Sequence, residues 1–158
     1  MIPIRKIEIN IIPHNQQRYD TVGDYFFDEN GTLQIKVSEM KDLRYCHLVA
    51  VHELVEVLLT EQNGISEDSI TKFDVDFEEN RQPENIDEPG DDPKAPYVNE
   101  HCIATSVERL MCALLGLKWK TYDKAVLDCG NGTEYTQTEY EKALDLENKK
   151  TGKPYPKI

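Results

Sequence analysis

The run Leu48-Val-Ala-Val-His52-Glu53-Leu-Val-Glu56-Val-Leu-Leu59 decides how this chain folds. It is apolar on every helical face, and a helix that is apolar all round is buried all round. Working outward, Ser38 offers an N-cap, Lys41 or Asp42 opens the first turn, and Asn63-Gly64 is a left-handed stop. A central buried helix is therefore predicted over about 41–62. A second apolar helix is predicted from Pro96 or Tyr97 to Leu115, with Pro96 in its first turn and Gly116 as its stop.

Between them, Ser66 to Phe77 reads as a shorter amphipathic helix. The segment at about 78–95 is acidic and carries Pro83, Pro89 and Pro93, so it is expected to be a loop, long enough to hold an ordered or functional role. On the N-terminal side, Ile4 to Ile12 alternates loosely and stops at Pro13. Tyr25 to Val37 reads as a hairpin, with Asn30-Gly31 supplying the positive-φ residues of the turn. Beyond Trp119 the chain is more polar. Thr138 with Glu141 makes a capping box that predicts a surface helix over about 137–148, and the basic tail at about 149–158 is expected to be loose. The expected architecture is α+β: a small N-terminal antiparallel sheet packed on two central buried helices, plus a C-terminal surface helix, in one domain spanning 1–158.

Composition narrows the function. With 39% hydrophobic and 30% charged residues the chain is globular rather than disordered. Its net charge of -12 opposes direct contacts to nucleic-acid phosphates, which need clustered Lys and Arg. No apolar run has the length of a membrane span, and the opening Met1-Ile-Pro-Ile-Arg-Lys lacks a signal-peptide pattern, so a cytoplasmic location is expected. Cys46, Cys102, Cys112 and Cys129 form no C-x-x-C pair; Cys46, Cys102 and Cys112 sit among apolar helical residues and read as buried reduced thiols.

The chemistry concentrates on the two apolar helices. His52 and Glu56 are four residues apart and share a helical face, with Glu53 one position round. Such a pair can hold a divalent cation, and the adjacent Glu can take a proton from bound water. On the second helix, His101 is a natural third ligand, and Glu108, two turns on, is a fourth ligand or the group that holds a ligand histidine's other nitrogen. Ionised groups in a Leu/Val/Ala stretch need neutralising. A metal, a hydrogen-bond network or a raised carboxylate pKa would each do so, as would pairing of Glu56 with Arg44 or Arg109. His47 reads as surface or supporting, His14 as an exposed turn residue, and Asp91 and Asp92 as loop groups near the start of the second helix. Trp119 and Tyr122 read as core.

His52-Glu53-x-x-Glu56 resembles the His-Glu-x-x-His helix of zincin metallopeptidases, and strands followed by that helix resemble the zincin core order. The resemblance covers roughly Tyr25 to Gly64 and departs from the pattern at Glu56, where the family has its second histidine. It implies zinc on His52, Glu56 and His101, with Glu53 as general base and a peptide or amide substrate. The small acidic make-up also resembles phage or prophage proteins, for which the host cytoplasm is the expected location. The alternatives are a catalytically inactive metal-stabilised structural or interaction protein, a magnesium-dependent nucleotide pyrophosphohydrolase using Glu53, Glu56, Glu100 and Glu108, and an acidic DNA mimic.

Overall fold

A computed structural model describes residues 4–82 and 84–131. Three strands open the chain: β1 (Ile7–Ile12), β2 (Gly23–Phe27) and β3 (Leu33–Ser38). Four helices follow: α1 (Leu43–Asn63), α2 (Glu67–Glu79), α3 (Val98–Leu114) and α4 (Trp119–Asn131). A short 3-10 turn, Pro89–Asp91, lies in the connection between α2 and α3. The fold is α+β, as the sequence predicts.

The β2–β3 hairpin is antiparallel, with Tyr25 opposite Ile35. Its loop is longer than the two-residue turn that Asn30-Gly31 suggests. Gly31 alone has positive φ, at 74°, and Asp28 Oδ1 accepts from the backbone N–H groups of Asn30 and Thr32, both at 2.9 Å. That is the geometry of a longer hairpin loop with one left-handed glycine.

The sheet is mixed, not purely antiparallel. β1 lies parallel to β3, and the order is β1-β3-β2. The connection from Pro13 to Val22 arches over the end of β3, so β1 and β2 flank it and no helical crossover is needed. Ile7, Ile9 and Ile11 pair with Leu33, Ile35 and Val37 and so share their face of the sheet. Only the β3 row is fully covered: α1 packs over β2 and β3, which leaves those three isoleucines 42%, 50% and 38% exposed.

Helix α1 begins one turn later than Ser38 suggests. Asp42 is its N-cap and accepts from the backbone N–H of Arg44, whereas Ser38 stays in β3, fully buried against the His14 ring. His14 is therefore half-buried rather than exposed, its ring nitrogens 2.8 Å from Ser38 Oγ and 3.0 Å from Asp20. Gly64 ends the helix at φ 73°. Ser66 caps α2, its side chain accepting from the Ser69 N–H. Cys46 and Cys112 are buried, but Cys102 lies on the open side of α3 and is exposed.

α4 is a correction to the reading of this region as merely polar. Trp119, Tyr122, Val126 and Cys129 recur at helical spacing and pack on the core, while Lys120 is exposed, Lys124 pairs with Asp128 and Asp123 lines the cavity described below. The predicted surface helix over 137–148 and the tail at 149–158 fall outside the described residues. Among the described residues, no helix is long and apolar enough to cross a membrane.

Ile35 is fully buried where β3 meets α1. Ile35→Ala is expected to lower stability by about 2–5 kcal/mol, the usual cost of an aliphatic deletion in a tight core. A urea denaturation series would measure it as an earlier midpoint.

Candidate metal centre

α1 and α3 pack closely against each other and turn their polar residues inward at one level. From α1 come His52 and Glu56, one turn apart; from α3 comes His101. All three are buried, at 7%, 4% and 5% exposure. His52 Nε2 lies 3.1 Å from His101 Nδ1 and 3.3 Å from Glu56 Oε2, and His101 Nδ1 lies 3.0 Å from the same oxygen. Two nitrogens and one oxygen thus form a nearly equilateral triangle, a group able to hold a metal ion. A tetrahedral zinc with bonds of about 2.0–2.1 Å separates its ligand atoms by roughly 3.3 Å, so the edges found fit such an ion with little adjustment.

The far side of each ring is also occupied. His52 Nδ1 is 3.2 Å from Glu108 Oε2, and the other oxygen of Glu108 accepts from the hydroxyl of Tyr122. His101 Nε2 is 3.3 Å from Glu88 Oε2 and 3.6 Å from Asp91 Oδ1, both on the loop before α3. A cation on the inner nitrogens requires the protons on the outer ones; Glu108 is hydrogen-bonded to that nitrogen of His52, and Glu88 and Asp91 stand at ion-pair distance from that of His101. This arrangement fixes tautomer and ring orientation at metal sites. Glu108 is therefore a supporting group for His52.

Close backbone approach completes the support. A Cβ on Gly90 would overlap the His101 ring, and one on Gly23 would overlap the Glu53 carboxyl and Val49. A side chain at Gly90 would force the His101 ring to move and one at Gly23 would displace the Glu53 carboxyl, although neither glycine has positive φ.

Electrostatics follow from the packing. Burial alone would pull His52 down, but hydrogen bonds with Glu108 and Glu56 raise its pKa well above the usual value. His101 is raised in the same way, burial opposing and Glu56 prevailing. Burial would push Glu56 up, but the two histidines hold it below the ordinary carboxylate value. Glu53 behaves differently. It makes no hydrogen bond to another described residue, and desolvation followed by the charge of Glu56 pushes it well up.

The triangle opens on a cavity of about 1140 Å³, walled by parts of β2, all four helices and the 3-10 turn. Glu53 lines it. So does Asp74 of α2, 7% exposed, whose Oδ1 accepts from Tyr97 Oη at 2.6 Å and whose Oδ2 accepts from Tyr19 Oη at 3.2 Å. Burial pushes the Asp74 carboxyl up to about 7 despite these two hydroxyls.

His52, Glu56, His101 and Glu108 thus meet at one place, whereas Glu53 lines the same cavity with its carboxyl against Gly23. Glu56 pairs with neither arginine: Arg44 binds Asp42, and Arg109 stacks over Trp119 at 4.5 Å. Glu100 lies apart, accepting from Asn63 at 2.5 Å. Asp91 approaches His101, whereas Asp92 caps the Lys94 N–H, and His47 is exposed. Sequence reasoning missed Glu88, Tyr122 as the partner of Glu108, and the Asp74–Tyr pair. Asp74 carried a readable signal: it stands four residues after Ile70, on the inner face of an amphipathic helix.

Gly90→Ala is expected to lower stability by about 1–3 kcal/mol, read as an earlier urea midpoint, because the added methyl displaces the His101 ring. Asp74 gives a pH prediction. Its pKa is higher folded than unfolded, so its contribution is full below about pH 4 and is lost as pH rises through about 7. Relative to Asp74→Asn, the wild-type protein should lose stability between pH 4.5 and pH 8; a constant difference in urea midpoints would contradict the assignment. Comparison with protein-family models, with curated proteins and with solved structures gave no match.

Proposed function

We propose that this protein is a zinc-dependent hydrolase in which His52, Glu56 and His101 hold the metal, Glu53 is the general base and Glu108 orients His52. One observation carries this reading: three donor atoms from two helices lie 3.0–3.3 Å apart beside a large cavity. Two histidines and one carboxylate form the donor set of catalytic zinc sites that keep a fourth position for water, whereas closed structural sites use four protein ligands. A zinc ion held by these residues would supply Lewis acidity, making water a better nucleophile near neutral pH.

Glu53 suits the base role because its carboxyl lines the cavity and is not committed to another hydrogen bond. A peptide or amide substrate rests on the likeness of His52-Glu53-x-x-Glu56 to the zincin helix alone. The reading includes a cytoplasmic protein, in the host cytoplasm for a phage-encoded chain, acting on a peptide or protein rather than nucleic acid. The charge of -12 opposes a phosphate backbone. The separation of Glu100 from the cluster disfavours the four-glutamate magnesium alternative.

Elemental analysis of the purified protein should find about one zinc per chain, lost in His52→Ala. Glu53→Gln should keep the metal and lose at least 10²-fold in hydrolysis of a mixed-sequence peptide pool read by mass spectrometry. Full metal with unchanged hydrolysis in Glu53→Gln would remove the proposed base. Metal bound without any hydrolysis by the wild-type protein would make the site a structural one.

A further inference from the structure

Three elements converge on the carboxyl of Asp74: α2 supplies it, Tyr97 at the start of α3 donates to one oxygen, and Tyr19 from the β1–β2 connection donates to the other. Tyr97 also sets its ring edge-on to His101, with centroids 6.1 Å apart. All four residues line the cavity onto which the metal triangle opens. A buried carboxyl is an expensive way to tie three segments together, since an apolar side chain would pack α2 without desolvating a charge. Its place in the wall, on a different helix from Glu53, calls for a chemical reason.

Resting on the hydrolase reading above, we propose that Asp74 is a second catalytic carboxyl, the acid that protonates the leaving group, with Tyr19 and Tyr97 as positioning residues. Hydrolysis of an amide needs two proton transfers. Water attacks the carbonyl carbon through its oxygen and gives a proton to Glu53. The carbon–nitrogen bond then breaks, its electron pair stays on nitrogen, and that nitrogen takes a proton from Asp74. The products are a carboxylic acid and an amine, with one water consumed; Glu53 releases its proton to solvent and Asp74 recovers one. An unprotonated amide nitrogen is a very poor leaving group, so a positioned acid is worth about 10²–10⁴-fold. Tyr19 and Tyr97 fix which way the carboxyl faces.

The test is Asp74→Asn, which keeps the size of the side chain and can still hydrogen-bond both tyrosines but carries no transferable proton. The zinc-loaded wild-type and variant proteins are compared on the mixed-sequence peptide pool and on p-nitrophenyl esters of the N-acetyl residues at whichever bonds are cut. The nitrophenolate leaves without a proton. The expected result is unchanged zinc content, peptide cleavage lower by about 10²–10⁴-fold, and ester cleavage nearly unchanged. Equal losses on both substrates, or no loss on either, overturn the acid role and leave the hydrolase reading standing. Failure of the zinc-loaded wild-type protein to cleave either substrate overturns both. Tyr97→Phe adds a control: as a positioning residue it should slow peptide cleavage more than ester cleavage, and an equal effect would make the tie merely structural.

Discussion

Placing two imidazoles and a carboxylate within 3.3 Å of one another, inside a protein and away from bulk water, is the constraint to which the rest of the molecule answers. Each of these groups would lose solvation worth several kcal/mol if it stood alone. They persist because both imidazoles have carboxylates on both sides and Glu56 Oε2 faces the two rings at once. The inner atoms face one another, and the outer nitrogens face Glu108 on α3 and Glu88 and Asp91 on the loop. The chain spends α4 on the same task, since Tyr122 holds Glu108 and is itself packed edge-on between Tyr45 and Trp119. Even the absence of side chains serves the centre, at Gly23 behind Glu53 and Gly90 behind His101.

The cavity wall therefore divides by function. On the α1–α3 side the carboxylates are committed to histidines. Elsewhere Arg18 binds Asp24 and Glu67, and Arg81 binds Glu78. Glu53 and Asp74 stand outside those pairings, one without a hydrogen-bonded partner among the described residues and the other held by neutral hydroxyls. A desolvated carboxyl without a hydrogen-bonded cation holds its proton more tightly than a solvated one, which is how environment separates acid from base roles.

Much of this was legible in the sequence because the signals are local. The all-apolar run around His52, the glycine stop at Gly64 and the spacing of His101 and Glu108 are properties of single helices, and the structure keeps them all. What escaped depends on contacts between segments far apart in the chain. The parallel pairing of β1 with β3 is set by how residues 13–22 turn, not by the alternation within β1. Glu88 and Asp91 reach His101 only because the loop folds back over the start of α3. α4 differs, since Trp119, Tyr122, Val126 and Cys129 carry a clear helical period that was legible in the sequence.

The insertion of β3 between β1 and β2 has a consequence for how the molecule comes together and comes apart. β2 and β3 are joined by a short loop and can zip locally, whereas β1 must wait for a strand synthesised some twenty residues later. Local pairings form faster than remote ones, so β1 is expected to dock after the β2–β3 hairpin has formed. By the same token it is the strand first released under tension. A pull on the N-terminus peels one ladder from the rim of the sheet without disturbing the β3 residues beneath α1. The half-exposed isoleucine row marks that seam.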